Sequence, residues 1–421
     1  MSVPKKRLTI LFTPLDGWGH INCSHGLAEE LLNRGHRVVF AVDESFKDHL
    51  TPFGFEEELL TTNETDSGEK WFKIIEESSK IFESKDPTDV AINFSAPANM
   101  KMIDDVIQLD SQYRDIIERV SPDLIVVDNY VNSPAITNSG RPWIWLYSAA
   151  ALGVYKTDRL PPKRTGFPTN DQDTAKWKTF RQKFTQASMP LYNKLNDFCV
   201  SKGAPPLPPY DYSPVSPYLN IYLYIKELDY TPEVGPLPKN YMRVENFIRT
   251  TKEKFEIPKQ LRERSGGLVF LSMGSFGCAN LKLMTRLVNI LSKSKHRFIV
   301  AKGPLHDKYE LPDNMWGQKF VPQMAVLPVV DAVITHGGNN TVTEAFFFGK
   351  PMLVMPLFGD QYDNAQRIFE TGLGFRLNPF HCTEEELITS VDKLISDQNL
   401  IQKCKSIGDR IRNTNDKKRV A

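Results

Sequence analysis

The chain reads as an α/β protein of two Rossmann-like, doubly wound halves, each a parallel sheet wrapped by helices. At 421 residues it is long for a single core and points to two or more domains. Apolar runs of strand length alternate with helical segments along it. The run over residues 320–361, FVPQMAVLPVVDAVITHGGNNTVTEAFFFGKPMLVMPLFGDQ, sets strand, glycine turn, helix and strand in the order that builds a nucleotide pocket.

The elements follow in chain order. RLTILFTPL is the first strand. In INCSHGLAEELLNR, Ile21, Leu27, Ala28, Leu31 and Leu32 share one helical face, and Gly35 ends the helix. HRVVFAVD is the second strand; SPDLIVVDNY and RPWIWLYS are two more, joined by a helix through Ala135. Residues 155–217 cluster prolines around a charged helical segment and read as irregular excursions. The composition shifts again over residues 235–264, a candidate linker, before the strand GLVFLSMGS opens the second half. There DAVITHG is a strand, GGNNT a turn, TVTEAFFFG a helix closed by Gly349, and PMLVMPL the next strand. Thr383 with Glu386 three residues on reads as a capping box, and a helical tail runs from Asn399. The expected organisation is residues 1–234, a linker over 235–264, and residues 265–421 with a tail that packs back on the first half.

With 52 basic against 51 acidic residues and no long like-charge block beyond Lys417, Lys418 and Arg419, there is no electrostatic footprint for nucleic acid or an anionic membrane. The five cysteines, Cys23, Cys199, Cys278, Cys382 and Cys404, are odd in number and lack CxxC or Cys/His spacing. Neither a disulfide framework nor a zinc site is suggested, and a reducing compartment fits best. The N-terminus enters a strand with no cleavage site, and no apolar run approaches the ~20 residues needed to span a bilayer. A soluble, cytoplasmic protein is expected. The sequons at Asn22, Asn63 and Asn93 are read as coincidental, because a glycan on Asn22 would block the expected active site.

A strand, a glycine turn and a helix start aim backbone N–H groups and the positive end of a helix dipole at one point, where a diphosphate could sit. His336, Asn340 and Thr341 add polar side chains there. The same run resembles the donor-binding signature of the family 1 UDP-glycosyltransferases. The resemblance implies a GT-B fold, two Rossmann-like domains facing a central cleft, with acceptor on the N-terminal half and UDP-sugar on the C-terminal half. It implies that Phe320, standing where the family has Trp, stacks on the uracil, followed by Val321, and that Gln323 lies beside base and ribose. It gives His336, Asn340 and Thr341, after the turn glycine Gly338, to the pyrophosphate, and Glu344 to the ribose hydroxyls. Asp360 and Gln361 would hold the hydroxyls of the sugar. Gly274 and Ser275 in LSMGSFG resemble the loop that touches the diphosphate. The stretch from Phe320 to His336 is shorter than in plant members and similar to the bacterial macrolide-type branch; soluble spider-mite enzymes are also similar.

The resemblance continues in PLDGWGHINCSHG, where His20 falls on the catalytic position, and in LIVVD, where Asp128 matches its partner. An acceptor hydroxyl is a poor nucleophile at neutral pH, and an imidazole that takes its proton is worth ~10²–10⁴ in rate. A carboxylate on the other ring nitrogen fixes the tautomer and stabilises the imidazolium. The function implied is inverting transfer of a hexose, glucose first, from a UDP-sugar to a small lipophilic alcohol or phenol such as a flavonoid or xenobiotic. Trp18 and Phe94, read as loop aromatics, are expected to line the acceptor side; in the fourth strand Trp143, Trp145 and Tyr147 share one face and Ile144 and Leu146 the other.

Gly17, Gly19 and Asp43 imitate a nicotinamide fingerprint whose third glycine is replaced by Asn22. Residues 171–173, DQD, imitate a metal-binding DxD but sit in a Pro- and Lys-flanked loop and read as a solvated charge run. No metal and no cofactor are expected, since helix-end amides can receive the diphosphate. A GT-B sugar-nucleotide epimerase and a silent sugar-nucleotide-binding protein are the alternatives.

Overall fold

The computed structural model describes residues 6–62, 77–171 and 173–421, so the sequon at Asn63 and Gln172 of the DQD run lie outside the described residues. The first half contributes strands β1 (Thr9–Pro14), β2 (Arg37–Asp43), β3 (Glu56–Leu60), β4 (Leu124–Asp128), β5 (Trp143–Tyr147), β6 (Leu219–Leu223) and β7 (Tyr241–Val244). The second contributes β8 (Leu268–Ser272), β9 (Arg297–Ala301), β10 (Met315–Gln318), β11 (Ala332–Thr335), β12 (Met352–Val354) and β13 (Gly374–Arg376). All pairings are parallel, in the orders β3-β2-β1-β4-β5-β6-β7 and β10-β9-β8-β11-β12-β13. Counted within each half, both sheets step outward from the first strand and then reverse to the fourth, which is the doubly wound order. Runs such as LVFLS and AVIT are buried at every position because helices cover both faces. In β5 the pleat divides the side chains as expected: Trp143, Trp145 and Tyr147 enter one core cluster, Ile144 and Leu146 another.

The helices that position the site are α1 (Trp18–Asn33), α2 (Ser95–Val120), α3 (Ala175–Ser201), α4 (Asn339–Phe347) and α5 (Gln361–Glu370). They are followed by α6 (Glu384–Ser396), α7 (Gln398–Arg412) and α8 (Asp416–Val420). The capping box of Thr383 and Glu386 opens α6, and Gly35, at φ 87°, follows the end of α1. Three expectations are corrected. Tyr241–Val244, placed in a linker from its sequence, is instead the edge strand of the first sheet; only Val244 in it is buried, so no apolar run marked it. The helix after β11 begins at Asn339, ahead of Thr341, because Gly337 at φ 87° completes the turn alone. Trp18, read as a loop residue, is the first residue of α1, since extended Gly17 passes the chain straight from β1 into the helix.

The carboxyl ends of the two sheets meet. Asn339, at the start of α4, donates its amide to the carbonyls of Ser148 (3.1 Å) and Leu223 (2.8 Å). Arg367 of α5, 5 % exposed, donates to the carbonyls of Leu228 and Asp229 and pairs with Glu233 and Glu370. Asp363 receives the backbone N–H groups of Arg164 (2.7 Å) and Gly166 (3.2 Å). The tail returns to the first half: Arg34, just past α1, donates to the Lys418 carbonyl, Arg419 to the Arg243 carbonyl, and Asp416 accepts from the Glu245 N–H. Arg410 of α7 holds Glu227 and Glu245.

The chain crosses between the halves against α1, where Gly26 makes room for it. A Cβ on Gly26 would lie 1.6 Å from the Phe247 carbonyl oxygen. Gly26→Ala must therefore push backbone away from backbone, and we expect a loss of at least about 1–3 kcal/mol, the cost of an overpacked core. Denaturant melts of both proteins measure it; an unchanged midpoint would contradict the packing described.

Candidate functional site

His20 lies in the first turn of α1, directly after β1, and Asp128 ends the neighbouring β4, paired in register with Pro14. That pairing sets the carboxylate beside the helix start. His20 Nδ1 is 2.9 Å from Asp128 Oδ1, and the Ser148 hydroxyl donates to the same oxygen at 2.9 Å while lying 3.0 Å from Nδ1. Because an ionised carboxylate only accepts, the neutral imidazole is assigned its proton on Nδ1, with the lone pair on Nε2. Asp128 is 2 % exposed, and its Oδ2 has no partner among the described residues. The Tyr130 ring stands edge-on to the imidazole, 5.4 Å between centroids, and Tyr147 packs against Tyr130. Burial pulls the His20 pKa down, but the charge and hydrogen bond of Asp128, with the field of Asp360, outweigh it and leave the pKa raised.

Across the interface the second half assembles an anion-sized corner. Gly274 follows β8 at φ 68°, and His336 follows β11. A Cβ on Gly274 would come within 2.6 Å of the His336 ring, and one on Gly338 within 2.5 Å, so the imidazole is held between two glycines. Burial lowers the His336 pKa to about 4, and the ring is neutral near pH 7. The first turn of α4 supplies backbone N–H groups with Asn340 and Thr341. One turn on, Glu344 is 1 % exposed and accepts from Asn340 Nδ2 at 2.9 Å, from Gln323 Nε2, and from Arg249 Nη1 at 2.7 Å. Gln323 also reaches Thr341 at 3.4 Å. Phe320 is 70 % exposed with Lys319 beside its ring, whereas Val321 packs against the core. Ser275 is exposed on the short helix Gly274–Cys278.

Asp360 precedes α5 and accepts the Ala150 N–H at 2.9 Å; burial raises its pKa. Its field acts on His20, so the two half-sites meet there. Gln361 is buried, and its carbonyl oxygen is occupied by the N–H groups of Leu357 and Phe358, which leaves only its amide N–H groups for a ligand.

The structure thus groups His20 with Asp128, Gly274 and Gly338 with His336, and Gln323, Asn340 and Thr341 with Glu344. The acceptor-side aromatics differ from expectation. Phe94 is not an uncovered loop ring: it is 4 % exposed between two helices and packs on Phe82 and on Phe358 of the second half, each with centroids 4.8 Å away. Trp18 lies two helical positions from His20, a spacing that turns the side chains apart, and it packs on Phe46 and His49. Sequence reasoning passed over Tyr130, Ser148, Asn339 and Arg249. Ser148 directly follows a buried strand, a place where open α/β sheets put functional groups; Arg249 gave no local signal. In the DQD run Asp171 is ion-paired with Lys176. Among the described residues no group of three or more His, Cys, Asp or Glu side chains is arranged to hold a metal ion.

The family model described as UDP-glucoronosyl and UDP-glucosyl transferase matches residues 251–408. The NDP-glycosyltransferase YjiC of Bacillus subtilis is 23 % identical over 419 residues, 99 % of this chain and 96 % of the relative. Human UDP-glucuronosyltransferase 1A9 is 42 % identical over 91 residues, 21 % of this chain and 17 % of that protein. Among solved structures, the kitacinnamycin glycotransferase superposes with a TM-score of 0.68 at 20 % identity, covering 99 % of this chain and 97 % of the other. The glycosyltransferase VinC, solved with dTDP, gives 0.64 at 17 % identity and covers 96 % of each.

The two histidines should titrate apart. Followed by NMR, the His20 imidazole is expected to titrate above its ordinary 6.5 and His336 near 4. In Asp128→Asn the raising charge is gone while burial remains, so His20 should fall; a His20 midpoint unmoved by that substitution would contradict the pairing.

Proposed function

We propose that this chain, whose residues 251–408 match the UDP-glucoronosyl and UDP-glucosyl transferase model and whose fold is that of solved GT-B glycosyltransferases, performs an inverting transfer from a UDP-hexose, glucose first, to a hydroxyl of a small lipophilic acceptor. The observation that carries the reading is the His20–Asp128–Ser148 cluster, set under Asp360 at the junction of the halves. His20 Nε2 takes the acceptor proton as oxygen bonds to the anomeric carbon from the face opposite the leaving UDP. Asp128 stabilises the imidazolium, and the nucleoside diphosphate departs toward the first turn of α4 and neutral His336. Domain roles follow: acceptor on the first sheet, donor on the second, with the crossing between β7 and β8.

Glu344, near Gln323 and Asn340, supports a ribose partner, and exposed Phe320 supports a stacking face for the base, worth about 1–3 kcal/mol by analogy with other base stacks. Tyr130, edge-on to His20, supports an aromatic acceptor such as a flavonoid or other phenol. The epimerase alternative is not favoured, since the matched proteins are named as transferases. Five free, buried cysteines support a reducing, cytoplasmic setting, and no helix among the described residues is long and apolar enough to cross a membrane.

Incubation with UDP-glucose and a panel of phenols, read by mass, should yield hexosyl adducts, and yield should persist in EDTA. His20→Ala is expected to lower turnover by at least ~10²-fold with UDP binding nearly intact, because only proton transfer is lost. Comparable turnover in the variant would remove His20 as the base. Since the imidazole must be neutral to act, wild-type kcat/KM should rise with pH through a midpoint above 6.5. Glu344→Ala should weaken UDP in calorimetry far more than acceptor, and an unaltered Kd would refute the donor pocket.

A further inference from the structure

If Glu344 meets the donor ribose, as the proposed function has it, one charged neighbour remains without a role. Arg249 Nη1 lies 2.7 Å from Glu344 Oε1, with side chains 20 % and 1 % exposed. Arg249 reaches α4 from the crossing between the sheets, and the crossing is clamped on either side of it. The Thr250 N–H donates to Glu29 Oε2 at 3.1 Å and its hydroxyl to the other oxygen; Lys417 of the tail donates to the Ile248 carbonyl. The backbone that carries Arg249 is therefore held by α1 and α8 rather than by the nucleotide half.

An ionised carboxylate offers about four acceptor sites. Oε1 of Glu344 takes Arg249 and Asn340, and Oε2 takes Gln323, which leaves one site, on Oε2. Asn340 and Gln323 are neutral amides that a nucleotide can recruit. Arg249 alone among these donors is charged, and because Glu344 is buried, loss of Arg249 leaves the carboxylate charge uncompensated. We infer that Arg249 is a positioning residue for the donor: it fixes Glu344 through Oε1 so that Oε2 faces the ribose hydroxyls, and thereby sets the preference for ribonucleotide over 2′-deoxyribonucleotide. Without it, the carboxylate is free to turn both oxygens onto the neighbouring amides and withdraw from the sugar.

Calorimetry on the full chain with UDP and 2′-deoxy-UDP tests this. The wild type should prefer UDP by about tenfold or more, the worth of a hydrogen bond to a charged group. Arg249→Met should weaken UDP by a similar factor and bring the ratio of the two Kd values toward one. Added to Glu344→Gln, the same change should leave that ratio where Glu344→Gln alone puts it. Arg249→Gln, which keeps a donor without charge, gives the same reading if the Met variant does not fold by near-UV circular dichroism. Equal weakening of both nucleotides with the ratio kept, or unchanged UDP affinity, would overturn the role of Arg249 alone. A wild type that binds UDP without regard to the 2′-hydroxyl would instead overturn the ribose role of Glu344, and with it this inference.

Discussion

The amide of Asn339 joins the two halves of the molecule at the point where everything else must register. It is 4 % exposed and donates to two carbonyls, those of Ser148 and Leu223, at the carboxyl ends of adjacent strands β5 and β6. A buried donor or acceptor without a partner costs about 1–3 kcal/mol, so parting the halves here requires water to enter and replace both bonds. Ser148 holds Asn339 by its carbonyl and the His20–Asp128 pair by its hydroxyl. The orientation of the imidazole and the seating of α4 thus share one residue, and Ala150, two positions on, adds the bond to Asp360. Arg367 and Asp363 continue the clasp along α5 with polar side chains on backbone groups, beside apolar contacts such as Phe94 on Phe358.

Two histidines stand at strand ends facing this junction and are driven in opposite directions. Both are drawn down by burial, but His20 has carboxylates around it and His336 has glycines and backbone. The first keeps its affinity for a proton, and the second stays a neutral hydrogen-bonding group. The contrast arises from neighbours far away in sequence, which is how one residue type serves two kinds of chemistry within one site.

Much of the architecture was legible because buried parallel strands leave near-continuous apolar runs such as LIVVD, LVFLS and DAVIT, each ending in a polar residue at the active edge. The pair His20 and Asp128 could be read because each lies at or just beyond such an edge, and the cluster around Glu344 because its run resembles a known donor-binding signature. The edge strand Tyr241–Val244 could not, since its side chains are mostly half-exposed and its composition is that of a loop. Phe94 misled for the opposite reason: the ring that covers it, Phe358, belongs to the other half, and no local pattern reports a contact of that range. Arg249 is the same case with charge in place of ring, an ordinary basic residue in a polar stretch until the fold brings Glu344 to it. Phe320, by contrast, lies exposed, which leaves its ring open to the proposed stacking on the base.

The return of α8 to α1 imposes an order on assembly during translation. Arg34 closes onto the Lys418 carbonyl across a separation of 384 residues, and Val420 with Ala421 packs against the cluster that contains Ile21, Leu27 and Leu31. Chains fold from the N-terminus as they emerge, so the first sheet can form long before the segment that completes its outer surface exists. At ~5–20 residues per second, the α1 side of the nascent protein stays uncovered for tens of seconds. That interval is when the chain is most open to off-pathway association, and a ribosome stalled in the second half would present a folded first half with an unfinished apolar seam, a substrate for chaperones rather than a finished domain.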